Sequence, residues 1–529
     1  MAAASPAELA RAARFLLALP GLLRHPLSAA EARATLRRRL ERRDAAFLAF
    51  ARRAVFAAGS PYRRLLAAAG CEHGDLERLV GRDGLEGALA RLAREGVFLT
   101  LDEAKGRCPV VRGSLTFTVD PRRLANPVTA SHLVYRTSGS RGAGTIVSAD
   151  VAYFRDRAVN VGLCLDARGG RSWRHAPWVV PGGAAIGVLL HHAALGLPPV
   201  AWFSQIDPAS PEIDARYAWS ARLLRWAGRL AGVRLPRPVR APFDDPRPVL
   251  RWMRRCLDDG DVPHLITFPS SAAALAAAAR DAGVDLAGAQ MSIGGEPVTA
   301  ARLGAVRAAG AEAVPHYGTT ESGRIGDGCL APQAPDDVHL FHDLHAVVPA
   351  DPGAEGTTTP RTLFMTALGP TAPVVLLNVS LGDEAELVHR RCGCPLDALG
   401  WTVHLQAIRS REKLTAGGMS LLDGDAIAVL EEVLPARFGG DASDYQLLEE
   451  EDAAGRPRLV LVVSPRVGAV SPEAVASAFV ERVGAGSGIE RITGLLWRQA
   501  GMIRVERRSP LVGSSGKVLR HRPGGAQRA

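Results

Sequence analysis

The sequence predicts an α/β protein with a largely parallel sheet, preceded by a helical segment and followed by a small α+β unit. Three observations predict it. From Pro6 to about Glu103 apolar residues recur at three- and four-residue spacing with Arg and Glu between them, the period of helices buried along one side. From about Ser131 short apolar runs alternate with amphipathic stretches, the order of strand, loop and helix that builds a parallel sheet. After Arg409 the pattern restarts as a unit of about 120 residues, enough for a domain of its own.

The first hundred residues break at Gly or Pro and show no chemistry of their own. HLVY is then a strand leading into a Gly/Ser loop. HLITF precedes the helix SSAAALAAAARDAG, QMSIGG precedes TAARLGAVRAAG, and EAVPHY precedes another polar loop. In such a sheet the ligand loops gather at the carboxyl ends of the strands. TLFMTAL and VVLLNVSLGD continue the β character. Beyond Arg409 come the helix LLDGDAIAVLEEVL, the strand RLVLVVSP, the helix SPEAVASAFVERV and a strand-rich stretch ending in SSGKVLR. The expected division is a large domain over 1–408, its helical part being 1–103, and a small domain over 409–529; the tail HRPGGAQRA is expected to fray.

With 529 residues, 47% hydrophobic and 22% charged, the chain is long and apolar enough for two or three domains with a large core. The net charge of +10 is carried by arginines scattered among Ala, Leu and Glu, aromatics are 5%, and no arginine-aromatic stripe stands out. That pattern speaks against specific nucleic-acid binding and for solvated helix faces with some attraction for anionic substrates. Seven cysteines do not make a disulfide framework, and the start does not read as a signal peptide. The run from Trp178 to Phe203 is interrupted by Pro181, Gly182, Gly183, His191, His192, Pro198 and Pro199, so it reads as core rather than a membrane span. A cytoplasmic protein is the expectation. The pair His191-His192 reads as satisfied core histidines.

Three loops carry candidate chemistry. Thr137, Ser138, Gly139, Ser140, Arg141 and Gly142 follow the HLVY strand, and small residues there let backbone N–H groups turn inward as an anion nest. The loop lacks the G-K-[ST] ending of a Walker motif. In His316-Tyr317-Gly318-Thr319-Thr320-Glu321 a carboxylate flanked by hydroxyls suits Mg²⁺ held through a phosphate, and the tyrosine ring suits stacking on a base. Gly382-Asp383 puts a carboxylate where it can accept both hydroxyls of a ribose. Among 64 basic residues only Lys105, Lys413 and Lys517 are lysines. Lys517, in the small-residue turn SSGKVLR, offers a compact ammonium where a guanidinium is too large.

The order TSGSRG, GGEP, YGTTE, GD, IRSREKLTAGG and SGKV resembles the adenylate-forming superfamily of acyl-CoA synthetases, from about Ser131 to Lys517. Within it the chain looks most like the phenylacetate-CoA ligase group, on SPYRRLL, REGVFLTLDEAKGRCPVVRG and VHLFHDLHAVV followed by CGC. The resemblance implies a large adenylation domain with mostly parallel sheets and a small mobile C-terminal lid. It implies that Thr137 to Gly142 hold the ATP phosphates, that Gly295, Glu296 and Pro297 border the adenine, and that Tyr317, with Gly318 and Thr319, stacks on it. Thr320 would contact the α-phosphate, Glu321 would coordinate Mg²⁺, Asp383 would bind the ribose, and Arg409 would assist beside the hinge. Lys517 would bridge the attacking carboxylate and the nucleotide.

Two departures stand out. Arg141, Ala143 and Thr145 occupy phosphate-loop positions where many relatives have Thr or Lys, and at the hinge Arg411 and Glu412 replace an acidic pair. Cys392, Cys394, Cys329 and His339 form a further set: a tetrahedral Cys₃His zinc site, closed and therefore structural, is favoured over free buried thiols. The match to relatives places His339, rather than His342 or His345, among the ligands.

The expected function is ATP-dependent activation of a carboxylic acid as acyl-adenylate with pyrophosphate release, then transfer to coenzyme A. Transfer to a carrier protein or an amine is the alternative, and a decayed nucleotide-binding regulator is the alternative of another class. The expected partners are the acid and coenzyme A or a carrier protein, with neither nucleic acid nor a membrane span; a homodimer is left open.

Overall fold

The computed structural model describes residues 6–130, 133–136, 146–350, 361–410, 413–416, 419–422, 429–452, 455–485, 488–511 and 521–522. A twelve-stranded sheet organises them. From one edge run Pro238–Arg240, Trp202–Ser204, Arg174–Val179, Pro263–Thr267, Gln290–Gly294 and Glu312–Thr319, all parallel. Gly323–Gly328, Val338–Leu340, Val403–Ser410, Val379–His389, Thr362–Ala367 and His345–Pro349 complete it in antiparallel pairs. Helices connect the parallel strands, among them Gly183–Ala194, Arg216–Leu230, Arg247–Asp258, Pro269–Asp281 and Ala300–Ala308. The chain winds outward from Arg174–Val179 to one edge and resumes on its other side at Pro263–Thr267, so the strand order reverses there, the position where such sheets open a ligand crevice.

The elements follow from their side chains. Pro263–Thr267 is buried at all five positions because helices cover both faces of the parallel half. Arg247–Asp258 buries Val249, Leu250, Met253 and Cys256 and keeps its arginines outside. The helical beginning forms Pro6–Arg24, Ala29–Glu41, Arg43–Ala54, Pro61–Ala68 and His73–Arg94. Its apolar faces have a structural use: Phe47, Phe50, Leu85, Leu89 and Leu92 share one core with Val347, Phe364 and Val379 of the antiparallel half.

Several sequence expectations need correction. The HLVY strand, Leu133–Arg136, pairs antiparallel with Ile146–Ala149 in a ribbon of its own rather than joining the parallel sheet. VVLLNVSLGD becomes strand only from Val379, because Asn378 takes a φ of 49° and turns its amide onto the carbonyls of Leu89 and Val97. Leu421 and Leu422, expected in a helix, belong to the strand Met419–Leu422, which pairs with Lys413–Ala416 in a hairpin. Described helical turns of that segment are Val429–Val433 and Leu434–Phe438. The strand Tyr445–Glu451 and the helix Ile489–Gln499 were not legible, the first because its acidic end reads as a solvated face. They join Pro457–Val463, Ile503–Arg507, His521–Arg522 and the helix Pro472–Val483 in a four-stranded α+β unit. The large sheet itself continues through Ser410, two residues past the expected division at 408.

Candidate active site and metal centre

The ends of two neighbouring strands, Gln290–Gly294 and Glu312–Thr319, and a residue within a third, Val379–His389, build the candidate active site. His316 pairs with Gly294, so Gly295 and Tyr317 emerge side by side at the carboxyl edge. Gly294 has to be glycine: a Cβ there would lie 2.4 Å from the His316 carbonyl oxygen. Gly295, with φ +85°, is exposed and presents bare backbone at that edge. Thr320 and Glu321 occupy the turn into Gly323–Gly328; Thr320 is exposed and Glu321 half-buried, and Thr319 Oγ1 steadies the turn by accepting the Ser322 N–H at 3.2 Å. A bulge between Tyr317 and Gly318 sets this turn off from the regular ladder, as bulges next to ligand sites do.

Asp383 comes from the antiparallel half, yet Tyr317 donates its phenol hydrogen to Asp383 Oδ2 at 2.8 Å. Burial, Asp383 and then Glu321 push the Tyr317 hydroxyl well above its ordinary value, so it stays a donor. The structure thus brings Gly295, Tyr317, Gly318, Thr319, Thr320, Glu321 and Asp383 to one edge. The direct Tyr317–Asp383 bond has no signal in the sequence, where the two residues lie 66 positions apart.

Glu296 and Pro297 face elsewhere. The Glu296 side chain has no exposure; it accepts from the Ser270 N–H at 2.8 Å and Oγ at 2.9 Å, capping the helix Pro269–Asp281, and stands 3.5 Å from Arg302. The Pro297 carbonyl accepts from Arg302 Nη1 at 2.7 Å. Arg302 also meets Glu451 at 3.1 Å and the Gly455 carbonyl at 3.2 Å, and Thr299 donates to Glu451 at 2.6 Å, so the GGEP segment is tied to the C-terminal sheet. The carboxylate of Glu296 is thus committed to the fold, while Gly295 presents its backbone at the edge. Arg409 is exposed beside Asp383's strand and pairs with Asp336 at 2.9 Å. Thr137, Ser138, Gly139, Ser140, Gly142, Arg411 and Lys517 lie outside the described residues.

The cysteine set converges. One ligand atom each of Cys329, His339, Cys392 and Cys394 lies within 4.8 Å of the others. His339 Nε2 is 3.2 Å from Cys394 Sγ and 3.6 Å from Cys392 Sγ. A tetrahedral zinc, with Zn–S about 2.3 Å and Zn–N about 2.0–2.1 Å, places N and S about 3.5 Å apart. His339 Nδ1 donates to the Trp401 carbonyl at 2.6 Å, which leaves Nε2 as the free lone pair aimed at the thiols. The Arg390 guanidinium and the Ala331 N–H both donate to Cys329 Sγ at 3.4 Å, as suits a thiolate. Burial raises the Cys329 thiol to about 12 in the metal-free arrangement, whereas for Cys394 backbone N–H groups outweigh burial and lower it. The donor set fits a closed zinc site.

His192 is buried with Nδ1 on the Val188 carbonyl at 2.9 Å, and His191 packs against Phe154 with ring centroids 5.6 Å apart, but Nε2 of each is buried without a hydrogen-bond partner among the described residues, so the pair is not satisfied as expected. No helix of the described residues is long and apolar enough to cross a membrane.

A large mixed α/β part followed by a small α+β unit is an arrangement this chain shares with solved AMP-forming ligases. One solved structure with this arrangement is 2-hydroxyisobutyryl-CoA ligase in complex with 2-HIB-AMP and CoA in the thioesterification state: 17% identity, 95% of this chain and 91% of that chain covered, TM-score 0.58. The same ligase in the postadenylation state gives 17% identity, 94% and 91% coverage and a TM-score of 0.47. A mutant of the amide bond synthetase McbA from Marinactinospora thermotolerans gives 13%, 74% and 68%, and 0.40. The last two are too distant to add to the argument. No family model matches the chain, and no curated protein matches it.

Proposed function

We propose that this protein is an ATP-dependent, AMP-forming acid-thiol ligase of the phenylacetate-CoA ligase type, which activates a carboxylic acid as its adenylate and passes the acyl group to coenzyme A. The observation that carries the reading is the Tyr317–Asp383 bond at 2.8 Å beside Gly295, Thr320 and Glu321. It joins an aromatic face, a diol-accepting carboxylate and bare backbone, the three surfaces a nucleoside needs, at one sheet edge.

In this reading the adenine lies between the Gly295 backbone and the Tyr317 ring, and the ribose hydroxyls donate to Asp383, which Tyr317 holds in place. The Thr320 hydroxyl donates to the α-phosphate. Glu321 has no hydrogen bond or ion pair among the described residues, so its half-buried carboxylate is available to a cation. Mg²⁺ held there with ATP would neutralise charge on the phosphates. The acid carboxylate attacks the α-phosphorus, the bond to the pyrophosphate oxygen breaks, and Lys517 balances charge between carboxylate and phosphate. Zinc on Cys329, His339, Cys392 and Cys394 would be structural, pinning the strands around Val338–Leu340 and Val403–Ser410. The small domain from Arg409 or just beyond, with Arg411 at its hinge, would carry Lys517 in and out.

The test is a pyrophosphate-release screen over a panel of carboxylic acids, with and without coenzyme A. An acid that releases pyrophosphate and yields thioester only with coenzyme A supports the reading; adenylation without thioester formation refutes the thiol as acceptor, and no release with any acid, with ATP binding retained, supports a decayed regulator.

A further inference from the structure

The helix Arg216–Leu230 shows solvent an apolar stripe. Trp219, Leu223, Trp226 and Leu230 follow at spacings of four, three and four, which puts them on one face, and they are 55%, 39%, 56% and 56% exposed. Ala221, Leu224 and Ala227, on the neighbouring face, are buried against the molecule. Leu17, on the adjoining helix Pro6–Arg24, is 81% exposed as well, and Arg24 ties the two helices by donating to the Leu230 carbonyl at 3.0 Å. Single exposed apolar residues are ordinary, but a continuous stripe with two tryptophans marks a contact surface.

The charge around this stripe has one sign. Arg222, Arg225, Arg229, Arg234, Arg237 and Arg240 follow one another, and no Asp or Glu occurs from 215 to 243. All but Arg225 are exposed, and none of the six has an ion pair among the described residues. The Arg222 guanidinium lies 5.5 Å from the Trp219 ring centroid. The arginine-aromatic stripe absent from the sequence reading is therefore present, its tryptophans seven residues apart and aligned only once the helix is formed.

We propose that this face docks on an anionic lipid surface. The helix lies in the plane of the membrane, with tryptophans and leucines in the boundary between headgroups and acyl chains and the arginines at the lipid anions. The charge decides the occupant: a second copy seated on the same face would oppose two sets of unpaired arginines, whereas an acidic bilayer supplies both an apolar layer and negative charge. The helix joins Trp202–Ser204 to Pro238–Arg240 at one edge of the large sheet, several strands from the one that carries Tyr317. The inference is independent of the proposed ligase activity.

The test is cosedimentation of the full chain with vesicles of phosphatidylcholine alone or mixed with phosphatidylserine, with tryptophan emission read in parallel. The expected result is partition onto the serine-containing vesicles only, weakened by salt. Arg229→Gln and Arg237→Gln should each weaken it about fivefold, the factor for about 1 kcal/mol per basic residue. Trp219→Ser with Trp226→Ser should weaken it by about tenfold or more at unchanged circular dichroism. No partition onto either vesicle, or partition indifferent to all four substitutions, overturns the proposal. So does a concentration-dependent dimer that the tryptophan variant dissociates without any lipid binding, which would make the face an interface between copies.

Discussion

Replacing Glu296 by Gln separates two accounts of the GGEP segment. The motif resemblance puts this residue beside the adenine, whereas the structure buries its carboxylate under the helix Pro269–Asp281, on Ser270 N at 2.8 Å and Oγ at 2.9 Å, with Arg302 at 3.5 Å. Gln keeps the shape and one accepting oxygen but removes the charge. A hydrogen bond to a charged group is worth roughly 1.5–3 kcal/mol against about 1 for a neutral one, and a carboxylate at a helix N-terminus adds roughly 0.3–1 kcal/mol. Arg302 keeps Glu451 at 3.1 Å, so its charge is not stranded. The expected loss is about 2 kcal/mol of stability, read from urea unfolding of the large domain, with the KM for ATP changed less than about twofold. Unchanged unfolding together with a tenfold rise in that KM would place Glu296 at the nucleotide and refute the reasoning.

Four further outcomes are expected. Protein purified without chelator should hold about one zinc per chain, and Cys394→Ser should lose it and unfold at lower denaturant; absence of zinc with Cys392 and Cys394 freely alkylated contradicts the site. Tyr317→Phe should raise the KM for ATP about tenfold with a smaller effect on kcat, since it removes a charge-assisted bond of roughly 1.5–3 kcal/mol that orients Asp383; an unchanged KM counts against that role. Glu451→Gln should increase proteolysis of the C-terminal unit at unchanged zinc content, because the charge facing Arg302 is lost and one accepting oxygen must replace the two that Arg302 and Thr299 use; equal proteolysis rates would discount the tie. Burial lowers His175 to about 2 and His192 to about 4. Both lie below the ordinary 6.5, so the unfolded chain takes up the proton first: their contribution is complete above pH 6.5 and is lost as pH falls toward those values, by up to about 1.4 kcal/mol per pH unit for each ring. Flat stability between pH 7 and 5 would contradict this.

What the sequence shows well is whatever depends on local pattern. The strands Pro263–Thr267 and Gln290–Gly294 and the helix Pro472–Val483 carry their signals within a few residues. The Cys₃His cluster was legible because paired thiols need few partners. Long-range commitments were not. That Glu296 caps a helix starting 27 residues earlier depends on packing that GGEP does not encode, and so does the bond between Tyr317 and Asp383. Asn378 stops a strand that the apolar run VVLLNV invites, because its amide is claimed by carbonyls of the helical beginning. The stripe of Trp219 and Trp226 is hidden in the sequence for a related reason: residues seven apart become neighbours only on a formed helix.

The central claim is acid-dependent chemistry at the α-phosphorus, with Lys517 acting in that step alone. The most direct measurement is acid-dependent pyrophosphate release from ATP by the wild type and by Lys517→Ala, alongside thioester formation from supplied acyl-adenylate and coenzyme A. The account predicts that the variant loses pyrophosphate release while still forming thioester. Release at the wild-type rate by Lys517→Ala would contradict it.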